Sequence, residues 1–172
     1  MRSWKGCLSN KKLGQEYIFL VKVSKIFIVF GEIKNNLILS KVIQSWETKE
    51  HRLIILHQEF LDHNYQKSLI KDNNPFIEEH QVESLNQALT YLDNADGLIM
   101  CDANLTGENI IKAALTQGIP SIAVQSPFVE ELLPQEFHLN EESTEKVLDF
   151  FIRNIAKFEL SSIKEHLLTH YD

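Results

Sequence analysis

The sequence predicts an α/β fold, a doubly wound parallel sheet of Rossmann type with helices on both faces. Three observations carry that expectation. Short apolar runs alternate with longer segments of helical periodicity, the spacing of successive strand–helix–strand units. Residues 26–30, IFIVF, end on Gly31 and have the β-branched and aromatic make-up of a strand buried on both faces. Residues 94–120, NADGLIMCDANLTGENIIKAALTQGIP, read as a buried strand, a polar loop, a helix and a turn into a further strand, the layout of a ligand edge in such a sheet.

Each element follows from its own pattern. After the 26–30 strand, apolar residues at Leu37, Ile38, Val42, Ile43 and Trp46 form a helical stripe, and a charged turn at 47–52 leads to a second strand at 53–56. The polar stretch 62–74 contains a short helical pattern at 65–70. A weaker third strand is expected at 75–77, and Val82, Leu85, Leu89 and Leu92 mark the next helix. The fourth strand is expected at 98–100, its helix at 108–117 and the fifth strand at 121–124, giving the order 3-2-1-4-5. Pro127 and Pro134 bracket 128–133, and a short extended piece is expected at 137–139. Asn140, Glu141 and Glu142 then open a helix with Val147, Leu148, Phe151 and Ile152 on one face, since acidic residues suit a helix start. Phe158, Ile163 and Leu167 suggest that this helix continues or pairs with another.

With 172 residues, 44% hydrophobic and 24% charged, the chain suffices for one domain, expected at 25–172 behind an amino-terminal leader at 1–24. A net charge of -7 and a pI near 5.5 provide no electrostatic footprint for nucleic acid. The basic cluster Arg2, Lys5, Lys11, Lys12, Lys22 and Lys25 lies at the amino end, and reads as a solvated leader running up to the domain. Lys22, Ser24 and Lys25 interrupt the apolar stretch 17–30, which excludes it as a membrane span or export signal. Cys7 and Cys101 lack metal-site spacing and fit a reducing cytoplasm.

Ala95-Asp96 before the fourth strand, and Gly118-Ile119-Pro120 between the following helix and the fifth strand, resemble the carboxy-terminal half of GT-B glycosyltransferases over most of the chain. Active members of that class place one glutamate early in the loop after the fourth strand and a second eight positions later, both for the donor nucleotide sugar. Counting back from Gly118, the corresponding residues are Leu105 and Ala113. Glu108 is three residues out of that register and reads as a helix-start acid. Active members also carry an arginine after the glycine of the first loop and a lysine further on; here Gly31 is followed by Glu32, with Lys34 nearby. The resemblance therefore implies a binding architecture without transferase chemistry.

The run 112–131, KAALTQGIPSIAVQSPFVEE, with the later LDFFIRNIAKFELSSIK, is similar to the tail of the glycosyltransferase-like component of the bacterial accessory Sec system. Ser121 and Phe128 depart from the glutamine and tyrosine of that pattern. This resemblance implies a non-catalytic, cytoplasmic role in exporting glycosylated serine-rich surface proteins, peripheral to the membrane through partners. Both families carry a second Rossmann-like domain, so the chain reads as a half-molecule whose partner is another protein or the missing amino-terminal GT-B half.

The candidate ligand contacts are Gly31, Lys34, His57, Asn104, Thr106, Gly107 and Glu108. No catalytic residue, metal ligand or cofactor is expected. His51, His57, His63 and His80 are irregularly spaced, and Ser126 and Asp102 lack a Gly-x-Ser-x-Gly elbow. His57 and Glu59 leave the second strand on the ligand edge. Phe150, Phe151 and Phe158 read as core or inter-domain packing. Two rival functions stay open: the donor-binding half of a nucleotide-sugar glycosyltransferase, with contacts near Gly31, Lys34, Asn104 and Glu108, and a small-ligand Rossmann domain.

Overall fold

A computed structural model of the chain describes residues 24–31, 37–46, 50–57, 74–102 and 104–155. Its strands are β1 (Ile26–Phe30), β2 (Arg52–His57), β3 (Ile77–Gln81), β4 (Gly97–Met100), β5 (Ser121–Val124) and β6 (His138–Leu139). Its helices are α1 (Leu37–Trp46), α2 (Leu85–Leu92), α3 (Leu105–Thr116), α4 (Pro127–Leu132) and α5 (Thr144–Asn154). All strand pairings are parallel, in the order β3-β2-β1-β4-β5-β6. The expected fold class and the order of the first five strands are those found; β6 adds a sixth strand where a short extended piece was expected.

Strand periodicity divides the core into two layers. Ile28 and Phe30 of β1, Ile54 and Leu56 of β2, and Leu98 and Met100 of β4 face a cluster completed by α2, α3 and α4. Phe27 and Val29, Leu53 and Ile55, and Ile99 and Cys101 face a second cluster completed by α1 and α5. Central strands buried on both faces must be apolar throughout, which is why IFIVF and GLIM are legible as strands.

Phe27 organises the second layer. Its ring meets Trp46 edge-on at 5.1 Å and Phe151 at 6.0 Å, and all three side chains are fully buried. Trp46 resolves its polar end by donating its indole N–H to the His51 carbonyl at 2.8 Å. On the same side, the Lys41 ammonium donates to the Glu141 carbonyl, tying α1 to the turn before α5.

Several boundaries differ from the sequence expectation for identifiable reasons. β3 runs to Gln81 instead of ending at 77, because it is an outer strand whose Glu78, Glu79 and His80 need only partial burial. α2 begins at Leu85 because the Ser84 hydroxyl caps it, accepting from Gln87 N at 3.2 Å. α3 begins three residues before Glu108, behind an Asn104 cap. The aromatic stripe is split: Phe151 is fully buried, whereas its neighbour Phe150 is 46% exposed and leans on Phe137. The leader residues 1–23, the helical pattern at 65–70, Lys34, Glu59, His63 and Phe158 lie outside the described residues.

Candidate functional site at the carboxyl ends of the strands

The strand order turns at β1, with β2 on one side and β4 on the other, and α1 and α3, which follow β1 and β4, pack on opposite faces, so the sheet's carboxyl edge opens between them. Gly31 closes β1 there. It is buried, and its amide donates to the Leu56 carbonyl at 3.3 Å, while Cys101 N donates to the Phe30 carbonyl at 2.8 Å. These bonds fix the ends of β1, β2 and β4 relative to one another. Cys101 itself is enclosed, and burial pushes its thiol far above the ordinary range, with the Asp102 carboxylate adding to the effect.

Across the opening stands the amino end of α3. The Asn104 side chain accepts from Gly107 N at 2.8 Å and its carbonyl accepts from Glu108 N at 3.0 Å; such a cap contributes about 1 kcal/mol. Gly107 is required by close approach. A Cβ placed on it would lie 2.7 Å from Met100 Cε and 2.9 Å from the Asp102 carbonyl oxygen. The first turn of α3 is therefore set hard against the end of β4. Thr106 and Glu108 are half-buried and Asn104 is exposed. Glu108 lies in the first turn, where its carboxylate offsets the positive end of the helix dipole that would otherwise favour an anion. One turn further on, Ala113 packs half-buried against the apolar cluster of α2, α3 and α4.

One strand outward from β1, His57 closes β2. It is only 8% exposed, and its Nε2 lies 3.2 Å from Glu79 Oε1 of β3. The other ring nitrogen, Nδ1, is buried with no hydrogen-bond partner among the described residues. Gly31, His57, Asn104, Thr106, Gly107 and Glu108 thus all lie on the same carboxyl edge, Gly31 and the α3 start at the turning point of the strand order and His57 beside it.

Glu79 could not be paired with His57 from sequence, because their contact depends on the β2–β3 register, in which Ile55 stands opposite Glu79. The same register places Arg52 beside Glu78. The Arg52 guanidinium donates to Glu78 Oε1 from Nε at 3.1 Å and Nη2 at 2.6 Å, and His80 lies 3.6 Å from the other carboxylate oxygen. Arg52 beside it, more than His80, holds the Glu78 carboxyl below its ordinary value of 4.5 although partial burial opposes this. A lowered folded-state pKa stabilises fully above 4.5 and is lost as pH falls through the lower folded value. Arg52→Gln is expected to return the Glu78 titration followed by carboxyl carbon NMR toward the ordinary value. Because both partners are about 40% exposed, the stability loss should stay below about 1 kcal/mol. An unmoved titration would refute the assignment.

Among the described residues, two open grooves lie at the opposite edge. One, of about 510 Å³, is bordered by Lys25, Asp93, Asp96, Gln117, Gly118 and Pro120 at the amino ends of β1, β4 and β5. Another, of about 390 Å³, runs by Ile26, Arg52, Tyr91 and Asn94. Neither includes a residue singled out from the sequence as a ligand contact. Asp96 and Gly118 border the first for structural reasons: Asp96 accepts from Ile26 N at 2.7 Å, and Gly118 turns the chain at a φ of 81°. Among the described residues, no group of three or more His, Cys, Asp or Glu could hold a metal ion, and no helix is long and apolar enough to cross a membrane.

The six-stranded parallel sheet, flanked on both faces, is a Rossmann-like α/β fold similar to part of solved glycosyltransferase structures. Two solved structures illustrate it. The crystal structure of the glycotransferase of kitacinnamycin superposes with a TM-score of 0.57 at 16% identity, covering 95% of this chain and 44% of that one. CalG4, the calicheamicin glycosyltransferase, gives 0.51 at 16% identity, covering 85% of this chain and 38% of that one. At such identities the likeness concerns the fold. The chain spans less than half the length of either structure. No protein-family model and no curated protein sequence matches it.

Proposed function

We propose that the chain is a non-catalytic GT-B-like domain that binds glycosylated protein through its strand-end loops, as a component of accessory Sec export of serine-rich surface proteins. The observation that carries this reading is the start of α3. Its architecture is intact, yet the positions for the two donor-sugar carboxylates are Leu105 and Ala113, and Ala113 packs against apolar side chains. A glutamate at 113 would enter that contact with its charge partly desolvated. Glu108 already occupies the dipole end, so a diphosphate approaching α3 meets a carboxylate instead of a cation. The run 112–131, resembling the accessory Sec component, covers the last part of α3 (112–116), β5 and most of α4. In this reading the protein works in the cytoplasm and meets the membrane only through partners, one of them the other GT-B half.

The glycotransferase likeness is equally compatible with one rival, the donor-binding half of a nucleotide-sugar glycosyltransferase. Calorimetric titration separates the two. A serine-rich peptide carrying O-linked glucose should give saturable heat that the bare peptide lacks, and UDP-glucose should give none. Saturable binding of UDP-glucose that disappears in Glu108→Ala would overturn the proposal and restore the enzyme.

A further inference from the structure

We infer that the larger groove at the amino edge of the sheet is the docking surface for the chain's own leader, with residues 17–23, YIFLVKV, as its occupant. This edge lies opposite the candidate ligand contacts, so the inference stands apart from what they bind.

The groove, of about 510 Å³, is accessible and has a definite chemistry. Leu92, Ile119 and Ile155 are buried beneath it, while Asp93, Asp96 and Gln117 are exposed along it. A Cβ built on Gly118 would meet no atom within 4 Å, so that part of the wall faces open space. α2 and α3 both end here, at Asp93 and Gln117, and neither has a basic residue in its last turn. Their negative dipole ends join the two carboxylates, against which the groove's lining sets one cation, Lys25. A matching occupant is apolar and positively charged.

The leader is both. Five basic residues against Glu16 leave residues 1–23 at +4, and the total of -7 leaves the remaining residues at -11. Its last seven residues combine apolar side chains with Lys22. It also joins the domain at the groove: Ser24 Oγ donates to the Glu50 carbonyl at 3.1 Å, Lys25 N donates to His51 Nδ1 at 3.4 Å, and Lys25 borders the groove. From that fixed point seven residues reach up to about 23 Å, ample for a cavity of this size. Covalent attachment decides between the leader and a separate molecule. Exposed ion pairs are individually weak, so a free ligand would be poorly held. A tethered segment meets its groove at an effective concentration of about millimolar, where weak contacts suffice.

The test uses the full chain. Nuclear Overhauser contacts are expected between the aromatic protons of Tyr17 or Phe19 and the methyl groups of Ile119 and Ile155. Limited trypsin cleavage after Lys22 should be slow in the parent and about tenfold faster in Phe19→Ser and in Asp93→Lys, since loss of one partly buried contact raises the open population by that order. Circular dichroism checks that both variants are folded, and the contacts in the parent need no variant at all.

Cleavage equally fast in the parent and both variants, with no leader contact to Ile119 or Ile155, would refute the inference. Leader contacts to other parts of the domain would refute the groove as its seat. Protection of Lys22 that disappears on dilution would assign the groove to the leader of a second copy, and would refute the intramolecular occupant.

Discussion

Phe27→Ala is expected to lower the stability of the chain by about 3–5 kcal/mol, the range for truncating a fully buried aromatic side chain. The ring is completely enclosed, and it joins Trp46 of α1 to Phe151 of α5 across β1. Truncation would therefore leave a cavity shared by α1 and α5. Collapse to fill the cavity would have to move α1 or α5 as a unit, and the Trp46 indole is anchored to the His51 carbonyl, so the site should relax poorly. Domains of this size are stable by about 5–15 kcal/mol in total, so the loss is a large share. Urea denaturation followed by tryptophan fluorescence measures it. A midpoint unchanged from the parent would mean that Phe27 is not the pivot of this layer.

The second large effect is expected at Gly107. Replacing a helical glycine by alanine ordinarily gains about 1 kcal/mol of helix preference. Here the added carbon would stand 2.9 Å from the Asp102 carbonyl oxygen, which is backbone, as well as 2.7 Å from the Met100 methyl. The methyl can swing away; the carbonyl can yield only if the end of β4 or the first turn of α3 shifts. Overpacking of this kind costs about 1–3 kcal/mol. Gly107→Ala should come out mildly destabilised, and Gly107→Val, which brings more bulk and little helix preference, destabilised by about 2–3 kcal/mol. Both changes displace the Asn104 cap that uses the Gly107 amide. Denaturation midpoints for the two variants, with the glycopeptide titration repeated on the alanine variant, provide the check. A Gly107→Ala protein more stable than its parent would show that helix and strand are not in such close contact.

The central strands were legible because the sheet buries both their faces, so a run such as IFIVF has a single sensible placement. β3 was shortened in the sequence reading because IEEHQ looks like loop, and it forms a strand only by pairing with β2. Asn104 likewise reads as loop residue and acts as a helix cap, which moved the start of α3. His57 was recognisable as a polar residue leaving a strand on the ligand edge. Its partner Glu79 was not, since 22 residues of sequence separate the two and only strand pairing brings them together. The register assigned to Leu105 and Ala113 was counted back from Gly118, a glycine that turns the chain at positive φ. The grooves at the amino edge left no mark in the sequence because ordinary turn residues border them.

The outer strands bear on how the molecule behaves at high concentration. A parallel sheet ends in two rows of backbone groups, and an exposed row invites another chain to add a strand and start a polymer. Among the described residues, one border is β3, where Glu78, Glu79 and His80 succeed one another with charge on both faces, and the other is β6, only two residues long. An incoming strand would find repulsive or unfilled neighbours at the first border and too few hydrogen bonds at the second. Contacts with other molecules are thereby left to helix faces and loops, and a concentrated solution of the folded chain should resist fibre formation seeded at its sheet edges.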